Sequence, residues 1–243
     1  MRKISYRHIP EQVFQHRDSL KVVSADFSIG GSRIGYIRGA GDKVPEALRA
    51  MGYAVDYLEE ADITVGNLKK YDAIVTGIRA YNVHEWLENV HAVLMNYVKQ
   101  GGVMLVQYNT NSNVGPLRTR ISPYPFSISR LRITDEAAEV RFLEANNALL
   151  NYPNKISAAD FEGWVQERSV YHAEKIDTAY RKILSMRDPG SRETELDGSL
   201  IAADYGAGRY IYTGLAFFRQ LPAGVPGAYR LLANLLAKPQ HKK

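Results

Sequence analysis

An arginine, a tyrosine and an asparagine crowd the segment Gly77-Ile78-Arg79-Ala80-Tyr81-Asn82. A guanidinium, a phenol and a carboxamide so close together suit a carboxylate or an array of sugar hydroxyls. The same residues also have a structural reading, in which Arg79 and Asn82 tie down the loop and cap the helix that follows. The sequence leaves both open. Gln107-Tyr108-Asn109-Thr110-Asn111 follows an apolar run, where many α/β enzymes place a nucleophile on a sharp turn. Its apex offers no serine, and Thr110 has no histidine near it in sequence, so we expect a polar binding surface here and not nucleophilic catalysis. The stretch Asp160–Tyr171, DFEGWVQERSVY, is dense in acids and their partners. Glu162 and Glu167 invite a general acid–base proposal, but their odd spacing would set them on opposite faces of a strand. Charged strand edges explain them as well. Trp164 offers a flat platform on which a sugar ring would stack. Arg219 adds a second guanidinium late in the chain.

What the chain lacks is as informative. The 243 residues include no cysteine, which removes disulfides, thiolate ligands and a cysteine nucleophile together. The six histidines, His8, His16, His84, His91, His172 and His241, show no metal-ligand spacing. His84 and His91 are read as two turns apart on one helix after Tyr81, too far for one ion, so no metal is expected. Gly39-Ala40-Gly41-Asp42 resembles an anion-binding turn but lacks the third glycine of a dinucleotide fingerprint, and no acid is well placed after the next strand. A tight packing turn is the better reading, and no cofactor is expected.

These groups need a frame, and the apolar pattern supplies one. Apolar residues make up 45% and charged residues 23%, the proportions of an ordinary folded domain. No apolar run approaches the roughly 20 residues of a membrane span, and the first residues, MRKISYRHIPEQ, lack the apolar stretch of a signal peptide. The net charge of +5 owes part of its excess to the tail, Lys238, His241, Lys242 and Lys243, and no basic stripe with interleaved aromatics points to nucleic acid. Strands are expected at Leu20–Ile29, Arg33–Arg38, Tyr53–Leu58, Asp72–Gly77 and Val103–Gln107, with Gly30-Gly31 as a hairpin turn. Helices are expected across Gly39–Gly52 with Pro45 early in it, and along Trp86, Val90, Val93, Leu94, Tyr97 and Val98. Alternating strand and helix define an α/β fold, a doubly wound, mostly parallel sheet of flavodoxin-like type. Residues 110–198, rich in proline, break the rhythm as an irregular insertion. A β-hairpin, Ser199–Tyr205 and Arg209–Thr213, and a helix over Gly227–Ala237 complete the chain. The organisation read from this is a polar, irregular connector at 1–19, one domain at 20–237 and a basic tail at 238–243.

Several stretches, in order, carry a family resemblance: IGYIRGAGDKVPEAL, YDAIVTGIRAYN, GGVMLVQYNTN, SPYPFSISRLRITDE, LLNYPNKI, DFEGWVQERSVY and YTGLAFFRQLPAGVPGAYRLLANLL. From about Ile34 to Leu236 the chain resembles the C-terminal glutamine-amidotransferase-like (class I, ThuA-like) domain of bacterial PIG-L/LmbE-family deacetylases. The resemblance implies a class I amidotransferase fold, whose enzymes use a Cys–His–Glu triad. Here the nucleophile turn reads Gln107-Tyr108-Asn109, Phe218 stands where the histidine would be, and Gln220 stands where the glutamate would be. The resemblance therefore implies a domain that cannot release ammonia from glutamine. It also implies a zinc-dependent N-acetylglucosamine deacetylase as a partner, in the same or another chain, and an exported parent. The deacetylase's own HPDD-type motif does not occur here.

Three functions fit these residues. The first is a non-catalytic accessory domain that recognises a carbohydrate or docks on such a deacetylase, with Arg79, Tyr81, Asn82, Gln107, Asn109, Asn111, Trp164, Glu167 and Arg219 as the candidate surface. The second is a hydrolase in the same cleft using Glu167 or Asp135 as base. The third is a pure scaffold.

Overall fold

The computed structural model describes residues 2–15, 22–112, 117, 119–191 and 194–239. The first elements are a hairpin of β1 (Arg2–Tyr6) and β2 (Ile9–Phe14), antiparallel, with β2 exposed along its length. Within the connector expected at 1–19, residues 2–14 are therefore not irregular. The polar composition hid two short strands whose apolar members Tyr6, Val13 and Phe14 remain exposed.

The central sheet starts at β3 (Arg33–Ile37). It continues through α1 (Val44–Ala50), β4 (Ala54–Tyr57), α2 (Val65–Leu68), β5 (Ala73–Thr76), α3 (Ala80–Val83), α4 (His91–Lys99) and β6 (Val103–Gln107). The insertion carries β7 (Ser127–Ile128), β8 (Arg132–Ile133), β9 (Val140–Phe142), α5 (Ala148–Asn151), β10 (Ser169–Val170), β11 (Ala173–Glu174), β12 (Arg181–Lys182) and β13 (Leu184–Met186). The chain closes with β14 (Leu200–Tyr205), β15 (Gly208–Thr213), α6 (Phe217–Gln220) and α7 (Pro226–Leu236). Seven strands form one sheet in the order β12-β14-β15-β6-β5-β3-β4. The pairs from β15 to β4 are parallel, while β14 and β12 continue the sheet antiparallel.

The buried strands have apolar side chains on both faces, as a covered parallel sheet requires. Alternate residues of β6 serve different cores: Val103 and Leu105 join α1 and α7 on one side, and Met104 and Val106 join α4 on the other. This two-sided layering is the doubly wound α/β architecture expected from the pattern.

Three local expectations fail for identifiable reasons. Residues 22–29 form no strand, and Gly30-Gly31 is no hairpin turn, because β3 takes both its neighbours, β4 and β5, from later in the chain. The two glycines serve close approach instead, Gly30 against Ala237 and Gly31 against the Asp72 side chain. The helix expected from Trp86 is broken into a 3₁₀ turn at Glu85–Leu87 and then α4, so His84 and His91 do not share a helix. Residues 20, 21 and 240–243, together with His16 and Pro116, lie outside the described residues. Of the tail, Lys238 is seen pairing with Asp72 at 2.8 Å. Among the described residues, no helix is long and apolar enough to cross a membrane.

The glycine-rich loop after β3 shows how tightly the strand ends are packed. A Cβ at Gly39 would overlap the carbonyl oxygen of Ile78, whereas one at Gly41 would meet nothing. Gly41 instead needs its φ of 108°. Gly39→Ala is therefore expected to lower the urea midpoint well beyond Gly41→Ala, whose cost is about 1 kcal/mol. Equal midpoints for the two variants would mean that the 77–78 turn yields freely.

Candidate functional site

The carboxyl ends of β3, β5 and β6 are joined by one carboxylate. Asp42 accepts from the Tyr36 hydroxyl at 2.7 Å, from the Val44 amide at 3.0 Å and from the Ile78 amide at 3.1 Å. Gln107 extends the network by donating Nε2 to the Tyr36 hydroxyl at 3.2 Å and to the Thr76 carbonyl at 3.3 Å. Burial, then the neighbouring Asp42 charge, pushes the Tyr36 phenol well above its ordinary pKa, so it stays a donor. The Gln107 Nε2 is thus spent on the frame, while its buried Oε1 has no partner among the described residues.

Two asparagines then zip the β5 and β6 loops together. Asn109 accepts from the Tyr81 amide at 3.0 Å and donates to the Gln107 carbonyl at 3.0 Å. Asn82 donates to the Thr110 carbonyl and accepts from the Thr110 amide, both at 2.8 Å. Asn82 ties the loop but lies inside α3, and Arg79 at the N-cap makes no side-chain cap bond, so the expected capping role is not found. Tyr81 is buried in the α4-side core, and burial raises its phenol.

Arg79 and Arg219 come together around a residue that was not among the sequence candidates, Tyr108. Its carbonyl accepts from the Arg79 amide at 2.8 Å. Its ring stacks on Tyr171 at 5.3 Å and meets Phe218 at 5.4 Å. Arg219 lies over the Phe218 ring at 5.0 Å, pairs with Glu167 at 2.9 Å and contacts the Gln166 side chain. Burial and Tyr171 raise the Tyr108 phenol, while Arg79 and Arg219 pull it back. Four non-glycine residues among those described take left-handed φ: Arg79 (58°), Gln166 (68°), Tyr171 (52°) and Lys175 (48°). Three of the four belong to this cluster, and such strain persists only where the surroundings enforce it. The two positions that the resemblance assigns to nucleophile turn and histidine are neighbours here, filled by aromatic rings. Sequence places Tyr108, Tyr171 and Phe218 in the segments of interest but gives no spacing signal that their rings meet. The left-handed backbone that marks the place is invisible in sequence.

The other candidates fall elsewhere. Trp164 is 3% exposed, packed between Phe161 and Phe217, and donates its Nε1–H to the Asp160 carbonyl at 3.0 Å, so it offers no face to a sugar. Glu162 and Glu167 do not flank a strand. A 3₁₀ turn ends at Phe161, Glu162 is exposed, and Glu167 is buried between Arg219 and, at 3.8 Å, Arg132. Both of its carboxylate oxygens are therefore engaged, one by each guanidinium. Asp135 caps a turn through the Ala137 amide at 2.7 Å. Asn111 is exposed at the rim, its carboxamide accepting from Leu117 at 3.4 Å. Gln220 clasps residues 165–167 through bonds at 2.8, 2.9 and 3.2 Å.

One hydroxyl does meet a histidine: Ser169 Oγ lies 2.7 Å from His172 Nε2. Ser169 is 0% and His172 1% exposed, so this pair presents no nucleophile to solvent. Burial pushes the His172 imidazole down to about 4, and it is neutral near pH 7.

This sheet order, with its strand-end site, defines an α/β domain with the class I glutamine amidotransferase-like fold. Three solved structures share it. A cytoplasmic protein from Salmonella typhimurium matches with a TM-score of 0.56 at 14% identity, covering 85% of this chain and 99% of that one. A putative ThuA-like protein from Bacteroides uniformis matches at 0.51 and 10% identity, covering 88% and 93%. A protein from Thermoplasma acidophilum described as a GMP synthase subunit matches at 0.50 and 12% identity, covering 85% and 92%. At such identities the likeness is one of fold. Neither family models nor curated proteins give a match. The ThuA-like and amidotransferase-like expectation for the fold therefore holds, and these matches do not bear on a deacetylase partner.

Two outcomes follow from the geometry. Trp164→Ala is expected to cost about 3–5 kcal/mol in urea unfolding, as truncation of a buried aromatic does. A cost near that of a surface substitution would put the indole outside the core. Because the His172 pKa falls from 6.5 to about 4 on folding, the unfolded chain binds the proton first. Stability from this group should decline as pH falls from about 6.5 to about 4 and level off below. His172→Gln should flatten that part of the urea-midpoint profile, and an unchanged slope would contradict a buried neutral imidazole.

Proposed function

We propose that residues 20–237 form a non-catalytic recognition domain whose ligand is a carbohydrate bound at the Tyr108 cluster. The observation that carries this reading is the contact of the Tyr108 and Phe218 rings, at the positions the resemblance gives to the nucleophile turn and the histidine, with Arg79 on left-handed backbone and Arg219 over the Phe218 ring. Aromatic faces take the C–H face of a sugar, and guanidinium and carboxamide groups satisfy its hydroxyls. Arg79, Tyr108, Gln166, Tyr171, Phe218 and Arg219 are the proposed contacts. Docking on a PIG-L-type deacetylase, in the same or a partner chain, is the second half of the reading, and its support is the resemblance of the quoted motifs. A hydrolase is disfavoured by the pairing of Glu167 and the capping role of Asp135.

A thermal-shift screen against free and N-acetylated amino sugars and their oligomers tests the ligand class. One class should raise the Tm, by about 2–4 °C per kcal/mol of binding, and Arg219→Ala should abolish the rise while the fold persists. A flat response to every sugar would leave the scaffold reading in its place.

A further inference from the structure

A cavity of about 360 Å³ opens beside β11 and the segment Thr194–Gly198. Its lining includes His172 and mixes charge with apolar surface: Glu174, Lys175, Lys182, Asp197 and Glu195, the last paired with Arg141 at 3.3 Å, against Leu131, Ile176 and Leu196. Lys182 is taken by Asp197 at 2.7 Å. Glu174 and Lys175, by contrast, enter no ion pair among the described residues.

His172 gives this cavity a specific chemistry. Ser169 Oγ has no hydrogen-bond partner among the described residues other than His172 Nε2, and in the Nδ1–H tautomer the serine donates to that nitrogen. In that tautomer the imidazole proton is on Nδ1, which is buried and has no partner among the described residues. An unmatched buried donor is costly, and it asks for an acceptor oxygen in the cavity its ring lines. The backbone around it is held under strain, with left-handed φ at Tyr171 (52°) and Lys175 (48°) on either side of β11.

We propose that this cavity binds a small zwitterionic α-amino acid with an apolar side chain. Its carboxylate accepts from His172 Nδ1–H and pairs with Lys175, its ammonium pairs with Glu174, and its side chain packs on Leu131, Ile176 and Leu196. The site is separate from the Tyr108 cluster and independent of the carbohydrate reading. The burial that keeps His172 neutral keeps its single N–H available at neutral pH.

The test is a two-dimensional ¹H–¹⁵N imidazole spectrum of the full chain, with His172 assigned by comparison with His172→Gln. L-leucine should shift the His172 Nδ1–H signal saturably, while acetate and ethylamine at the same concentration shift it far less. Glu174→Gln and Lys175→Met, both at exposed positions, should each weaken the L-leucine response about tenfold, the equivalent of about 1.4 kcal/mol. The proposal is overturned by a proton resident on Nε2, by an L-leucine response that acetate alone reproduces, by a response indifferent to both variants, or by no response at all.

Discussion

The strand ends depend on the carboxylate of Asp42. Three parallel strands end side by side, and each releases its chain into a turn whose amides and hydroxyls need partners away from water. Asp42 supplies them across three elements at once: the Tyr36 hydroxyl from β3, the Val44 amide at the start of α1 and the Ile78 amide after β5. Gln107 brings in β6 through the same phenol. Charge-assisted bonds of this kind are the strong ones, and the surrounding packing leaves no slack, since Gly39 runs directly against Ile78.

That constraint decides which polar residues remain for a ligand. Gln107, Asn109 and Asn82 look like a binding surface in one dimension, but in three the Gln107 amide nitrogen and both asparagine carboxamides fix the loops to one another. What they fix in place is Tyr108, with Arg79 held in a left-handed conformation behind it and Phe218 and Tyr171 beside it. On the proposed reading, this rigid frame with its aromatic and cationic top is what a ligand would meet.

How far the sequence discloses this varies with the physical signal. Continuous apolar runs such as AIVT and VMLVQ mark the parallel strands, because only a sheet covered on both faces tolerates them. Pro45 and Gly52 bracket α1 through local backbone rules. The N-terminal hairpin escapes because its strands are polar and exposed, and the strand expected over residues 22–29 fails because sheet partners are a non-local matter. Of the candidate residues, Arg79 and Arg219 do reach the cluster, but Trp164 is drawn into the core by Phe161 and Phe217. An aromatic's depth is set by its neighbours in space, which sequence spacing does not report.

On the proposed reading, ligand recognition belongs to the Tyr108 cluster and not to the carboxamides that support it. A residue-resolved amide chemical-shift map of the full chain, titrated with N,N′-diacetylchitobiose, separates the two. Saturable shifts are expected at Arg79, Tyr108, Gln166, Tyr171, Phe218 and Arg219, with the amides of the Asp42 network moving little. Saturable shifts centred elsewhere, or a titration that leaves the Tyr108 amide unmoved, would contradict recognition at this cluster.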